Sequence, residues 1–180
     1  ALTTGEENVA IGYLALSAED AHGYNTAVGT YALTSQNAGA SGFNTSIGYY
    51  SGYWISTGTH NTLLGAYAGD NLTTGGYNVA IGHHALGAEQ GYGKNIAIGY
   101  QALEQQNAGA DAYNVAIGYH AGTAVTTGVK NTIIGGLAGD VITTGNYNVA
   151  LGYFALSAAT DSDYNVAIGV ESLAQNVLGS

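Results

Sequence analysis

The chain has no Cys, no Pro and no Met among its 180 residues, and a single Trp. Without Cys it can form neither disulfides nor thiolate metal sites, and its redox compartment stays open. Charge is also scarce. Only 8% of residues are charged, Lys94 and Lys130 are the only basic side chains, and the formal net charge is −10 at pH 7. That balance argues against nucleic acid or an anionic membrane surface as a partner. No apolar run has the length of a bilayer-spanning segment, and no signal-peptide pattern is visible. Yet 46% of residues are hydrophobic, which separates the chain from disordered acidic tails. What it has in excess is Gly, at 29 residues, and Tyr, at 15.

Much of that excess belongs to one recurring phrase. NVAIGY at Asn8 to Tyr13 returns at Asn114 to Tyr119, with NTAVGT, NTSIGY, NTLLGA, NVAIGH, NIAIGY, NTIIGG, NVALGY and NVAIGV as variants. The opening Asn falls at Asn8, Asn25, Asn44, Asn61, Asn78, Asn95, Asn114, Asn131, Asn148 and Asn165. The steps are 17, 19, 17, 17, then 17, 19, 17, 17, then 17, so a second period of 70 residues overlies the first. The two 19-residue units share QNAGA, at Gln36 to Ala40 and Gln106 to Ala110. The opening phrase ALTTGEEN matches NLTTGGYN at Asn71 to Asn78, which reads as the tail of a unit and as a piece of something longer.

Fixed short periods mean stacked units, each covering the face of the next, with no internal domain boundary across 1–180. Seventeen residues are too few for a strand with a crossover helix and its turns. They suit one coil of an all-β parallel solenoid, expected as two short strands and two turns, about ten coils in all and about 50 Å long. Counting the Asn as position 1, position 2 is always Val, Thr or Ile, as a strand favours. Position 4 is always Ile, Val or Leu; position 3 is Ala except at Ser46, Leu63 and Ile133. Alternation places Val9 and Ile11 on one side, and Asn8, Ala10 and Gly12 on the other. Neither side carries charge, so both are expected to be covered, one by the coil interior and one by the far wall or another chain.

Where position 3 grows to Leu63 or Ile133, position 6 shrinks to Ala66 or Gly136, which suggests volume traded within one layer. Acidic residues such as Glu19, Asp20, Asp70, Glu104, Asp111 and Asp161 fall outside the phrase, and SAEDAHG, GAEQGYG and SAATDSD read as solvent-side turns. YLALSAE and YQALEQQ are compatible with a helical turn or a strand.

The Asn column predicts a side-chain amide ladder along the stack. The Gly column (Gly12, Gly29, Gly48, Gly65, Gly82, Gly99, Gly118, Gly135, Gly152, Gly169) predicts a positive-φ turn or a site too crowded for Cβ. The aromatics before the Asn, namely Tyr24, Phe43, Tyr77, Tyr113, Tyr147 and Tyr164, predict a second ladder. Its tyrosines (Tyr24, Tyr77, Tyr113, Tyr147, Tyr164) are also the candidate surface for a glycan or matrix protein.

No set of residues suggests catalysis, a metal or a cofactor. Asp70 and Asp140 stand four coils apart and lie in no calcium loop. His83 and His84 are neighbours that a strand would point apart, and His22, His60 and His120 occupy different columns. TTG phrases at Thr3, Thr73, Thr126 and Thr143 are too intermittent for an ice-binding array.

At the N-[VT]-A-[IV]-G columns the chain resembles the SVAIG-type repeats of trimeric autotransporter adhesin heads. It is closer to the NTAVGYQAL-type repeats of phage tail fibres and related bacterial surface proteins. NTAVGTYAL at Asn25 to Leu33 and NIAIGYQAL at Asn95 to Leu103 carry that match, which extends over essentially the whole chain. The resemblance implies a left-handed β-roll, three chains side by side, and a rigid extracellular rod with an adhesive surface on a cell or virion. Coil length and the Asn in place of a frequent Ser depart from the adhesin heads. The uncharged faces also favour a parallel homotrimer, and end-to-end stacking into a filament is the alternative assembly.

Overall fold

The computed structural model describes residues 5–18, 23–158 and 160–174. Glu19, Asp20, His22 and Thr3 lie outside them. Each repeat contributes one three-residue strand: β1 (Val9–Ile11), β2 (Thr26–Val28), β3 (Thr45–Ile47), β4 (Thr62–Leu64), β5 (Val79–Ile81), β6 (Ile96–Ile98), β7 (Val115–Ile117), β8 (Thr132–Ile134), β9 (Val149–Leu151) and β10 (Val166–Ile168). They form a single ten-stranded sheet in chain order, and every pair is parallel and in register. Val9 faces Thr26, Ala10 faces Ala27 and Ile11 faces Val28, so each column of the repeat becomes a line along the axis. Among the described residues there is no helix. The fold is an all-β parallel solenoid.

The expectation of two strands per coil is corrected to one. The strand stops at the position 5 Gly, whose φ lies between 121° and 143° throughout the column. Beyond it, positions 7 and 9 again take positive φ, as in Leu14 (54°) and Leu16 (51°), or Tyr31 (62°) and Leu33 (48°). Alternating signs of φ bend the chain where a strand would stay straight. Position 8 N–H closes a turn onto the Gly carbonyl, as in Ala32 to Gly29 at 3.2 Å. The region left open between helical turn and strand is therefore neither.

Rung-to-rung bonding nevertheless continues through it. Tyr31 N–H donates to the Tyr13 carbonyl at 2.9 Å, and Leu16 N–H donates to the Ala32 carbonyl at 2.9 Å. Bonding to both neighbouring coils answers the demand of buried backbone for partners. It also holds bulky residues at a φ that costs about 1–2 kcal/mol in isolation.

The interior is narrow. Position 3 is fully buried from Ala27 to Ala167, and so is position 8 from Ala32 to Ala155. Small residues at both places leave room for one large aliphatic in most coils, and the coils with Leu63 and Ile133 at position 3 hold a second. The first comes from position 9 in Leu16, Leu33, Leu86, Leu103 and Leu156, and from position 12 in Ile55, Leu72, Val125 and Ile142. Coils of the second kind have Gly at position 9 (Gly52, Gly69, Gly122, Gly139), and the aliphatic from three residues on fills the vacated space.

This relocates the volume trade around Leu63 and Ile133. Both point inward and are fully buried, whereas Ala66 and Gly136 lie on the outer side. A Cβ on Gly69 would meet Leu63 at 2.9 Å and Leu72 at 2.8 Å. The residues that make room for the larger side chain are thus the position 9 glycines, because position 6 faces the other way.

The outer side of the sheet is the aliphatic one. Ile11 is 60% exposed, Leu64 45% and Ile168 63%, and positions 2 and 4 are half-buried or exposed on every rung. Among the described residues nothing in the single chain fully covers this stripe, so the coil interior covers one face and, of the two covers expected for the other, the far wall does not supply it.

Candidate functional site

Every rung of the Asn column is linked. The backbone N–H of each Asn donates to Oδ1 of the Asn one coil earlier, from Asn25 on Asn8 to Asn165 on Asn148, at 2.8–3.1 Å. The expected side-chain-to-side-chain bond occurs as a supplement. Nδ2 of Asn61, Asn78, Asn148 and Asn165 reaches the preceding Oδ1 at 3.0–3.1 Å. Nδ2 also closes its own coil by donating to a carbonyl fourteen residues on, as Asn61 does to Gly75 (3.0 Å) and Asn131 to Gly145 (2.9 Å). A Ser could not supply both the acceptor and this second donor reach.

The Gly column meets both of its expected demands at once. A Cβ on Gly12 would lie 2.5 Å from the Gly29 carbonyl oxygen, and its φ is 132°. The column therefore sets coil spacing and turn geometry and forms no ligand loop.

Outside the strand run two aromatic lines. The first is the expected one before the Asn: Tyr24 stacks on Phe43 (4.9 Å, 15°), Phe43 on His60 (5.0 Å, 29°) and His60 on Tyr77 (4.7 Å, 11°). Tyr147 stacks on Tyr164 (4.9 Å, 5°). Sequence reasoning missed three members of this line, His60, Lys94 and Lys130. Their signal was present, since each also directly precedes the Asn.

Lys94 lies over the Tyr113 ring and Lys130 over the Tyr147 ring, 5.1 and 4.9 Å from the centroids. Nζ of Lys94 donates to Asp111 (2.6 Å) and to the Tyr113 hydroxyl (3.0 Å), and Lys130 donates to the Tyr147 hydroxyl (2.9 Å). Asp111 chiefly, then Tyr113, raises the Lys94 pKa, and the Lys94 ammonium lowers that of Asp111. Tyr147 raises that of Lys130, and a hydrogen bond with Glu7 raises that of Tyr24. The predicted tyrosines share one exposed line, with Tyr113 set between two lysines and not between rings.

The second line, at positions 6 and 7, was not anticipated as a ladder. Tyr50 stacks on Tyr67 (5.5 Å, 26°), Tyr67 on His84 (4.9 Å, 3°), His83 on Tyr100 (5.4 Å, 7°) and Tyr100 on Tyr119 (5.4 Å, 14°). Burial, with Tyr49 adding, raises the pKa of Tyr50 and Tyr67. His83 and His84, expected to point apart, sit edge to face at 4.4 Å because they occupy a turn and not the strand. Trp54 packs edge-on against Tyr53 at 4.7 Å and is 53% exposed.

The described residues hold no group of three or more His, Asp or Glu placed to bind a metal ion. A surface notch of about 310 Å³ is lined by Asp70, Asn71, His84, Gly87, Ala88, Glu104 and Gln105. It lies where Gly87 leaves a gap between acidic residues one coil before and one coil after. Burial raises the Asp70 pKa, with His84 opposing. The Thr73, Thr126 and Thr143 hydroxyls donate to carbonyls one coil on, so they reinforce the stack.

The reading of GAEQGYG as a solvent turn is corrected at Glu89, which is fully buried. Position 12 points inward in the described coils that carry Gln36, Ile55, Leu72, Glu89, Gln106, Val125 and Ile142 there. No protein-family model, curated protein or solved structure matches this chain. Fold and surface together define a parallel β-solenoid repeat protein with an Asn-laddered interior and aromatic and aliphatic stripes outside.

Proposed function

We propose that the chain is a non-catalytic structural and adhesive segment of an extracellular fibre, of the surface-adhesin or phage tail-fibre kind, assembled as a side-by-side homotrimer of left-handed rolls. The observation that carries this reading is the stripe at positions 2 and 4, aliphatic throughout at position 4 and Val, Ile or Thr at position 2, uncharged and at least partly exposed on all ten rungs. A continuous apolar patch of this length is what proteins bury against partners. Its regularity matches a partner with the same rung spacing, which a copy of the chain supplies. The left hand and the threefold assembly come from the repeat resemblance. Light scattering on the purified chain is expected to give three times the chain mass, and a single-chain mass overturns the assembly.

Adhesion through the Tyr24, Tyr77, Tyr113, Tyr147 and Tyr164 line has one physical constraint. Each of these tyrosines has a ring or a lysine against at least one face, so a bound glycan or matrix protein meets chiefly hydroxyls and ring edges. Hydrogen bonding along the axis, not sugar stacking on ring faces, is then the recognition chemistry. Glycan-array binding should be saturable and lost when Tyr77, Tyr113 and Tyr147 are changed together to Phe. Binding unaffected by that change removes the stripe from the adhesive role.

A further inference from the structure

Buried position 12 distinguishes one coil from its sisters. In the two 19-residue coils it holds Gln36 and Gln106, whose Oε1 atoms accept Nδ2 of the next coil's Asn: Asn44 at 3.1 Å and Asn114 at 2.6 Å. In the coil opened by Asn78 it holds Glu89, equally buried. Its Oε1 accepts the N–H groups of Gln90 (3.2 Å) and Tyr92 (3.3 Å), while Oε2 is buried with no hydrogen-bond partner. Nδ2 of Asn95, on the next coil, is also buried without one. The pairing that Gln makes in the sister coils is thus left open where Glu stands.

We propose that Glu89 is an acid-stabilised lock inside the rod, carrying a proton in the folded chain, and that the surrounding coils loosen as it ionises. A buried carboxylate with an orphaned oxygen is costly in its charged form. The neutral acid is nearly isosteric with the Gln of the sister coils. Burial raises its pKa, the Tyr92 and Gln90 N–H groups on Oε1 oppose that, as does the nearby Ala108 N–H without hydrogen-bond geometry, and Asp111 adds repulsion. Among the described residues no cation pairs with it: Lys94 is engaged by Asp111, and Asp70, His84 and Glu104 line the surface notch.

The sign follows from proton counting. Between the unfolded and folded pKa values the folded chain holds a proton that the unfolded chain has released, so stability falls as pH rises through that window. It levels off above the folded value.

The test uses the whole chain. A carbon-13 titration of the Glu89 carboxyl is expected to give a midpoint above a free glutamate's. A midpoint in the ordinary range overturns the proposal. Native-state hydrogen exchange is referenced to the Gln36 coil, which corrects for the intrinsic pH dependence of exchange. Opening of amides at 79–95 should grow by up to about tenfold per pH unit within the window. Glu89→Gln should abolish that excess and protect the same amides at pH 8. An unchanged pH dependence in the variant, or weaker protection at pH 8, overturns the proposal.

Discussion

The Asn column shows what a single side chain contributes when it is repeated. Asn114 accepts Asn131 N–H at 2.8 Å while donating to the Gly128 carbonyl at 2.7 Å and to Gln106 at 2.6 Å, all in buried surroundings. Asn114→Ala orphans these groups together, and each buried orphan costs about 1–3 kcal/mol. Chemical denaturation should therefore show a loss of at least 2 kcal/mol, by that scale about two orphans' worth. Asn114→Ser should recover only part, because a hydroxyl spans fewer partners. The Lys94–Asp111 pair is the contrasting case. Both side chains are about two-fifths exposed, at 40% and 41%, so Lys94→Gln should leave the denaturation midpoint nearly unchanged.

At the level of the coil, the strand is the lesser part. Three residues define it, and the following turns carry as many rung-to-rung bonds while placing the core aliphatic. Two solutions alternate, Leu at position 9 or Gly there with an aliphatic at position 12. Leu63 is the side chain that makes the second solution necessary, since it reaches the space above Gly52 and Gly69. Leu63→Ala should cost about 2–5 kcal/mol in thermal or denaturant unfolding, by transfer and cavity terms. Gly69→Leu alone should be at least as harmful. Gly69→Leu combined with Leu63→Ala and Leu72→Gln recreates the sister coil and should recover much of the loss.

The whole molecule is a stack in which each coil touches only its neighbours. Its stability is then a sum of coil and interface contributions, and end coils fray before middle ones. The outer stripe at positions 2 and 4 is a large feature that the described residues of the single chain leave open, beside the two aromatic lines. Replacing Ile47 and Leu64, which are 38% and 45% exposed, by Asp should dissociate the proposed trimer to single chains by light scattering. Protection of the Asn-column amides should persist, because these side chains point away from the interior. Loss of both together would show that the oligomer and the coil are inseparable.

Periodicity by itself determined the parallel stacking, the register of every column and the place of the Asn and Gly lines. A fixed spacing of β-branched residues around an invariant Gly admits few other packings. Which side of the strand faces inward was not legible, because neither side carries charge and Ala can sit against a core or a neighbour equally well. Local pattern also could not show that the segment after the Gly turns repeatedly through positive φ, since Leu and Tyr, which occupy most of these positions, have no preference for it. Bonds to the coils on either side hold it there. The same holds for Glu89: its surrounding phrase reads as a polar turn, and only the closing of the coil turns position 12 toward the buried interior.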